Sequence, residues 1–166
     1  MAEKNILLKE TLEHNGIFSF SELYEYAYKW FKEESYGVIE EKYKEKVSGN
    51  ARDIEFEWKC TKQVSDYFKM EIGVKTESTG LTDVEAEVEG KKKKMNKGRI
   101  RIDFKGTLVR DPESKWDVSP FYRFLRDLYN KYVIPSTVDT QEDNVKKDVK
   151  DVKETLKAFL ELQGRR

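Results

Sequence analysis

Cysteine and histidine, the side chains on which much of enzyme chemistry depends, are almost missing from this sequence: Cys60 and His14 are the only examples. A single cysteine excludes an intramolecular disulfide and a zinc site built from cysteines. A Cys–His catalytic pair would have to bring these two residues together, and a histidine-based metal site has one histidine to draw on. The chain also carries no catalytic or cofactor motif, so we predict no catalytic residue, no cofactor and no metal site. Cys60 is interpreted as a small buried apolar residue.

Long apolar runs are missing as well. A membrane-spanning helix needs about 18 or more consecutive apolar residues, and the sequence contains no such run. The first residues, Met1-Ala2-Glu3-Lys4, do not begin the apolar core of a signal peptide. We therefore expect a cytoplasmic protein without a membrane span.

Neither sign of charge predominates in this chain of 166 residues, because 32 basic side chains balance 32 acidic ones. No global field draws the protein to nucleic acid or to an anionic membrane, so any such attraction must be local. Aromatic residues make up 13% of the chain, which argues against disorder because these side chains bury large apolar areas. The abundance of Lys and Glu resembles that of proteins from heat-adapted organisms.

Alternation of apolar and charged residues between Asp53 and Val109 predicts an antiparallel sheet with one wet face. Three runs place an apolar residue at every second position: Ile54, Phe56, Trp58 and Cys60; Phe68, Met70, Ile72 and Val74; Ile100, Ile102 and Phe104. A weaker run from Val84 to Val88 predicts an edge strand that ends at Gly90, and residues 38–47 predict a first strand. Breaks are predicted at 63–66, 78–80, Gly90 and 96–98.

Two helices are predicted from their start signals. Ser19-Phe20-Ser21-Glu22 has the form of a capping box, which predicts a helix from Ser19 to about Glu34. Ser119-Pro120 predicts a second helix up to Pro135, and its wide apolar face predicts deep burial. Residues 1–17 are interpreted as a lead-in with a turn or two of helix.

The elements together predict an α+β fold in residues 1–135, followed by a polar linker at 136–142 and an amphipathic helix at 143–166. A curved antiparallel sheet of about four to six strands would pack on the N-terminal helix and on the C-terminal helix, with the terminal amphipathic helix added. In its order of elements the chain resembles cystatin-like and helix-grip folds. A fold of this kind does not determine function.

A first candidate site is an aromatic cradle between the N-terminal helix and the sheet. Its residues are Tyr24, Tyr28, Trp30, Trp58, Phe68 and Phe104. A sheet packed against a helix is a common place for a pocket that binds an apolar ligand. The alternative is a filled core, which the close packing of protein interiors favours.

A second candidate is a basic hairpin that contacts phosphates. Its residues are Lys91, Lys92, Lys93, Lys94, Lys97, Arg99 and Arg101. Such a cluster binds nucleic acid with a strong salt dependence. The alternative, which we favour, is that Glu85, Glu87 and Glu89 neutralise these cations across the strands. This stretch also lacks the aromatic residues on which bases stack.

A third candidate is a narrow apolar seam on the terminal helix, formed by Val145, Val149, Val152, Leu156 and Phe159. The seam can cover the chain's own domain or a second chain. We favour self-association, because the second helix already offers a face to cover the sheet.

Three function classes follow from these surfaces. The leading one is a non-enzymatic binding or assembly module that uses the cradle or the seam for a protein or apolar partner. The second is a nucleic-acid accessory protein that uses the basic hairpin. The third is an enzyme of unrecognised type with its site in the cradle. It ranks last because histidine and cysteine chemistry are nearly excluded. Carboxylates such as Glu57 and Glu71 lie on the wet face, and no pair of them lies in an apolar setting that would shift its pKa, so acid–base catalysis has no candidate.

Overall fold

A computed structural model of the chain describes residues 3–65, 67–110, 120–121, 124–125, 128 and 135–164. The strands and long helices in these ranges are β1 (Glu3–Phe18), α1 (Phe20–Glu33), β2 (Gly37–Ser48), β3 (Ala51–Gln63), β4 (Phe68–Val88), β5 (Lys91–Arg110) and α2 (Pro135–Gly164). The strands form one antiparallel sheet of five in the order β1-β5-β4-β3-β2, which leaves β1 and β2 at its edges. The predicted α+β fold is confirmed.

Helix α1 begins where the capping pattern predicts. Ser19 is the N-cap, and its hydroxyl accepts a hydrogen bond from the backbone N–H of Glu22. In a capping box the Glu22 side chain would accept a hydrogen bond from the Ser19 backbone N–H. Here that N–H donates instead to Oε1 of Gln163 at 3.1 Å. The Gln163 amide in turn donates to Oε2 of Glu22 at 2.8 Å. The C-terminal end of α2 is therefore hydrogen-bonded to the N-terminus of α1.

The predicted helical turns in residues 1–17 are wrong, because this segment is the edge strand β1. Its strand pattern is hidden in two ways. A bulge between Ile6 and Leu8 shifts the alternation. Beyond it, Leu12 is buried on the helix-covered face, but Glu10 occupies an inward position and pairs there with Lys153 of α2 at 3.2 Å.

The predicted breaks at 78–80 and 96–98 are also wrong, since β4 and β5 run through them. Gly80, with φ of 65°, lies in a bulge between Thr79 and Thr82. Gly98 provides space rather than a turn, because a Cβ there would come within 3.0 Å of Leu81. The run at 84–88 is thus the distal part of β4, whereas the predicted turn at Gly90 is correct.

Helix α2 begins at Pro135, so the start predicted at 143 is wrong and residues 136–142 are helical rather than a linker. The helix lies on the sheet at Gly106 of β5. A Cβ at Gly106 would come within 2.8 Å of Val149 and 2.9 Å of Val145. The missing side chain is therefore what lets α2 approach the strand so closely.

The second predicted helix is described only in part. Pro120, Phe121, Phe124, Leu125 and Leu128 are helical. Three of them are exposed, Phe121 by 65%, Phe124 by 60% and Leu128 by 42%, so the predicted deep burial of this face is wrong for these three residues. The other residues of this helix lie outside the described part. Helix α2 covers the sheet with Val145, Val149, Val152 and Leu156.

Cys60 lies in the core, fully buried on β3. Burial raises the pKa of its thiol to about 12. Tyr36, also in the core, donates a hydrogen bond from its hydroxyl group to Oδ2 of Asp148 on α2 at 2.7 Å. Burial raises the pKa of this hydroxyl group as well. Both groups are therefore held in their neutral forms by the fold.

We expect Cys60 to resist a thiol reagent at about pH 8 in the folded protein and to react in denaturant, since the thiolate is the nucleophile. Above pH 9.0, its ordinary pKa, the unfolded chain releases a proton that the folded chain keeps up to about pH 12. The free energy of unfolding should therefore fall as pH rises through this window. Denaturant titrations at about pH 8 and about pH 10 measure the fall, which Cys60→Ala should reduce. Equal labelling rates for folded and unfolded chains would contradict this placement of Cys60.

Candidate functional site

The aromatic cradle is a filled core. Trp58, Phe68 and Phe104 are buried, and the ring of Trp58 meets Tyr24 edge to face at 5.0 Å between centroids. The space left between α1 and the sheet is about 10 Å³, which is about the volume that one water molecule needs. Phe68, Phe104, Tyr28 and Trp30 do not line it. Between the described residues of α1 and the sheet, this space is too small for an apolar ligand.

The basic hairpin is partly neutralised, though by other partners than the sequence suggests. The register sets Lys94 opposite Glu85 and Lys92 opposite Glu87. The ion pairs within 4 Å instead join Lys93 to Glu22, Lys94 to Asp83, and both Arg99 and Arg101 to Glu13. Within the described residues, Lys91, Lys92 and Lys97 have no carboxylate partner at that distance.

The predicted seam on α2 is part of the core. Val145, Val149, Val152 and Leu156 are at most 1% exposed, and α2 covers the sheet with them. Phe159 is half-buried and stacks on Tyr26 of α1 at 4.5 Å. The sheet of the same chain therefore covers the apolar stripe, so the stripe is not free to bind a second copy.

The other face of the sheet carries a groove that the sequence pattern does not reveal, here called the open-face groove. Its volume is about 660 Å³, and it crosses all five strands. Its lining residues are Lys4, Lys9, Glu10 and Thr11 of β1; Glu41 of β2; Glu57, Trp58 and Lys59 of β3; Glu71, Gly73, Val74 and Lys75 of β4; and Arg101, Asp103, Phe104, Lys105 and Thr107 of β5. The side chains of Trp58, Val74 and Phe104 are buried in the core on the helix-covered face, so these residues form part of the floor and present no side chain to the groove.

Gly73 lies in the middle of this groove. Its cross-strand neighbours are Lys59 on β3 and Lys105 on β5. Gly73 does not have a positive φ, and a Cβ there would meet nothing closer than 3.9 Å. Unlike Gly106, this glycine is required neither by the backbone nor by packing. A glycine inside a strand often marks a place where a ligand or another backbone approaches closely.

Lys105 of β5, which is the cross-strand neighbour of Gly73, lies directly opposite Lys9 of β1 on its other side. Both side chains are exposed, and neither has a carboxylate within 4 Å in the part of the chain that the structure describes. Like charges directly opposite each other on a sheet are unfavourable. This lysine pair, Lys9 and Lys105, is therefore an uncompensated patch of positive charge at the groove.

The other cations near the centre of the groove are compensated. The side chain of Glu71 is only 13% exposed and lies within 4 Å of Lys4, Lys59 and Lys69. Asp103 accepts hydrogen bonds from Thr11 at 2.8 Å and from Arg101 at 3.3 Å. These groups hold the sheet surface together and leave the lysine pair without a counter-ion.

On the far side of Gly73 the uncompensated groups are carboxylates. Glu57 lies opposite Lys75 and Lys42, but these lysines contact Glu77 at 3.5 Å and Glu55 at 3.0 Å instead. The hydrogen bond from Lys42 lowers the pKa of Glu55. Glu41, the bulge residue of β2, also has no cation within 4 Å among the described residues.

The remaining candidates for catalysis do not come together. His14 lies on β1 and Cys60 on β3, with β5 and β4 between them. His14 packs edge to face on Phe18 at 5.8 Å. No cluster of three or more His, Cys, Asp or Glu side chains in the described ranges is arranged to hold a metal ion.

Neither helix in the described part of the chain is long and apolar enough to cross a membrane. No family model, no curated protein and no solved structure matches this sequence. What the protein does must therefore be inferred from its own surfaces, among which the open-face groove has a volume of about 660 Å³.

Proposed function

We propose that the protein is a non-enzymatic binding module that takes an anionic ligand in the open-face groove. The observation that carries this proposal is the lysine pair, two cross-strand cations without a counter-ion beside a glycine that the fold does not require. An anion between the two ammonium groups would relieve their repulsion and accept charge-assisted hydrogen bonds from both. The groove thus takes the place of the cradle and the seam as the binding surface.

The proposal includes a cytoplasmic setting. The groove offers no cysteine or histidine side chain to a ligand, so catalysis by a thiolate or an imidazole has no candidate among its lining residues. The one thiol of the chain is buried. With a single cysteine the chain forms no intramolecular disulfide, so its fold does not require an oxidising compartment.

Lys9→Gln combined with Lys105→Gln should weaken the binding of inorganic phosphate or citrate at low salt by about tenfold or more, since it removes both cations that face the anion. The same double variant should be at least as stable as the wild type, because it removes a like-charge pair. Isothermal titration calorimetry measures the affinity, and thermal unfolding measures the stability.

Two further variants separate the groove from general surface charge. Lys29→Gln removes an exposed cation of α1 that lies outside the groove and should leave the affinity unchanged. Gly73→Ala should keep the fold and weaken binding, since its methyl group fills the floor of the groove. Wild-type affinity in the lysine double variant would overturn the proposal.

Nucleic-acid binding is a second candidate, favoured by the exposed Lys91, Lys92 and Lys97, which have no carboxylate within 4 Å in the described ranges. We expect a labelled oligonucleotide to bind weakly at low salt, because Glu85 and Glu87 lie in register with this strand. Changing Lys91, Lys92, Lys93 and Lys94 to Gln should flatten the salt dependence. Tight, sequence-dependent binding at physiological salt would make this the leading function.

A further inference from the structure

The open-face groove is electrically polarised from one end to the other. Its lining from β1 and β5 contains four cations and two carboxylates, whereas its lining from β2 and β3 contains two carboxylates and one cation. The cations of the first end are Lys4, Lys9, Arg101 and Lys105, and its carboxylates are Asp103 and Glu10, of which the Glu10 side chain points to the helix-covered face. The groups of the second end are Glu41, Glu57 and Lys59.

Internal ion pairs sharpen this polarity. Glu10 pairs with Lys153, and Asp103 with Arg101. Lys4 and Lys59 both contact Glu71. Of the described lining residues, Lys9 and Lys105 then remain as uncompensated cations at one end. At the other end Glu41 and Glu57 remain as carboxylates without a cation within 4 Å.

The strand order fixes the distance between these two sets of charges. Lys9 and Lys105 lie on the neighbouring strands β1 and β5, and Glu41 and Glu57 on the neighbouring strands β2 and β3, with β4 between the two pairs. Across the sheet, the midpoints of the pairs are three strand spacings apart, or about 14 Å at about 4.8 Å per strand. Along the strands, Glu57 lies two residues from the row that joins Lys105, Gly73 and Lys59, which adds a displacement of about 7 Å and makes the separation about 16 Å. The floor between them includes Gly73, which adds no side chain.

We infer that the ligand of the groove is a linear zwitterion, with its anionic group on the lysine pair and its cationic group on Glu41 and Glu57. The inference rests on the proposed function and adds the second charge and the spacing. A chain of about four or five residues in extended form spans about 13 to 18 Å. A short peptide with free termini therefore has the required chemistry and length, with its carboxylate toward β1 and its ammonium group toward β2.

Tetra-alanine with free termini is the probe for this inference. It should bind more tightly than its N-acetylated form and more tightly than its C-terminal amide, by about tenfold in each comparison, because each block removes one charged contact. The doubly blocked peptide should bind most weakly. Dialanine, which is too short to reach both ends, should gain little from having both charges free.

Variants assign each terminus to its end of the groove. In Glu41→Gln combined with Glu57→Gln, N-acetylation of the peptide should no longer matter, while amidation still weakens binding. The lysine double variant should show the reverse. Glu25→Gln combined with Glu33→Gln removes the same charge from exposed positions on α1 and should behave as the wild type. Circular dichroism confirms that each variant is folded.

The possible outcomes distinguish this inference from the proposed function. If phosphate binding depends on the lysine pair but N-acetylation of tetra-alanine has no effect, or tetra-alanine does not bind, the zwitterion is wrong and the anion site stands. If neither phosphate nor peptide depends on Lys9 and Lys105, both are wrong. An effect of N-acetylation that disappears in the Glu41 and Glu57 double variant, but not in the α1 control, supports the inference.

Discussion

Val152→Asp combined with Leu156→Asp should strongly lower the melting temperature of a protein that stays monomeric before and after the change. Val152 is fully buried and Leu156 is 1% exposed, both in the core between α2 and the sheet. Each aspartate would be forced into contact with the apolar side chains of this core. Burying carboxyl groups in apolar contacts costs several kcal/mol, so we expect a combined loss of more than about 4 kcal/mol.

The helix itself offers a matched control. Ala158 and Leu162 lie four residues apart like Val152 and Leu156, but both are exposed, Leu162 by 57%. Ala158→Asp combined with Leu162→Asp adds the same charge and should cost no more than about 1 kcal/mol, mainly through the dipole at the helix end. Light scattering with thermal melting distinguishes the cases. A wild-type dimer that the core variant dissociates at an unchanged melting temperature would restore self-association through the seam.

The spacing of the seam correctly predicted that something covers one side of α2, yet not what covers it. The apolar face of the second helix predicts another cover for the sheet, but Phe121 and Phe124 of that face are exposed. The residue that reveals the real contact is Gly106, whose missing side chain leaves room for Val145 and Val149. A lone glycine in a strand pattern does not indicate which helix lies over it.

Local signals were reliable where one short stretch determines the structure. Ser19 starts α1 and Gly90 lies in the turn between β4 and β5, as predicted. Predictions were wrong where the identity of a residue reflects a contact with another element of the fold. Glu10 interrupts the apolar pattern of β1 because it pairs with Lys153 on the helix-covered face. Gly98 was expected in a turn, but it lies inside β5, where a side chain would collide with Leu81.

The open-face groove could not be predicted for the same reason. Lys9 and Lys105 are far apart in sequence and become neighbours only through the register of β1 on β5. Each lysine alone is typical of a solvated strand face. The one local signal is Gly73, which leaves a gap in the alternation of charged residues on β4, and its meaning depends on which side chains flank it.

Trp58→Ala should be the most costly single truncation that we predict, at about 3–5 kcal/mol. The Trp58 side chain is 3% exposed on β3 and lies under α1. Four aromatic rings surround it, with centroids 5.0 to 6.4 Å away: Tyr24, Tyr28, Phe31 and Phe56. These contacts join the helix to the sheet, so a cavity here would loosen the packing of α1.

The indole N–H adds a polar contact at the edge of this cluster. Nε1 of Trp58 donates to Oε2 of Glu40 on β2 at 3.3 Å, and the same oxygen accepts a hydrogen bond from Tyr24. Burial, together with this bond to Glu40, raises the pKa of Tyr24 to about 12. Trp58→Phe keeps an aromatic ring in the cluster and loses only the N–H and part of the volume. It should therefore cost clearly less than Trp58→Ala.

Chemical denaturation of Trp58→Ala, Trp58→Phe and Val47→Ala tests this ranking. Val47 lies on the edge strand β2 and is 65% exposed, so its truncation should change the free energy of unfolding by no more than about 0.5 kcal/mol. The expected order of cost is Trp58→Ala, then Trp58→Phe, then Val47→Ala. A loss below about 1 kcal/mol for Trp58→Ala would mean that Trp58 is not in the core. The two faces of β3 would then be exchanged, and the open-face groove would lie on the apolar side of the sheet.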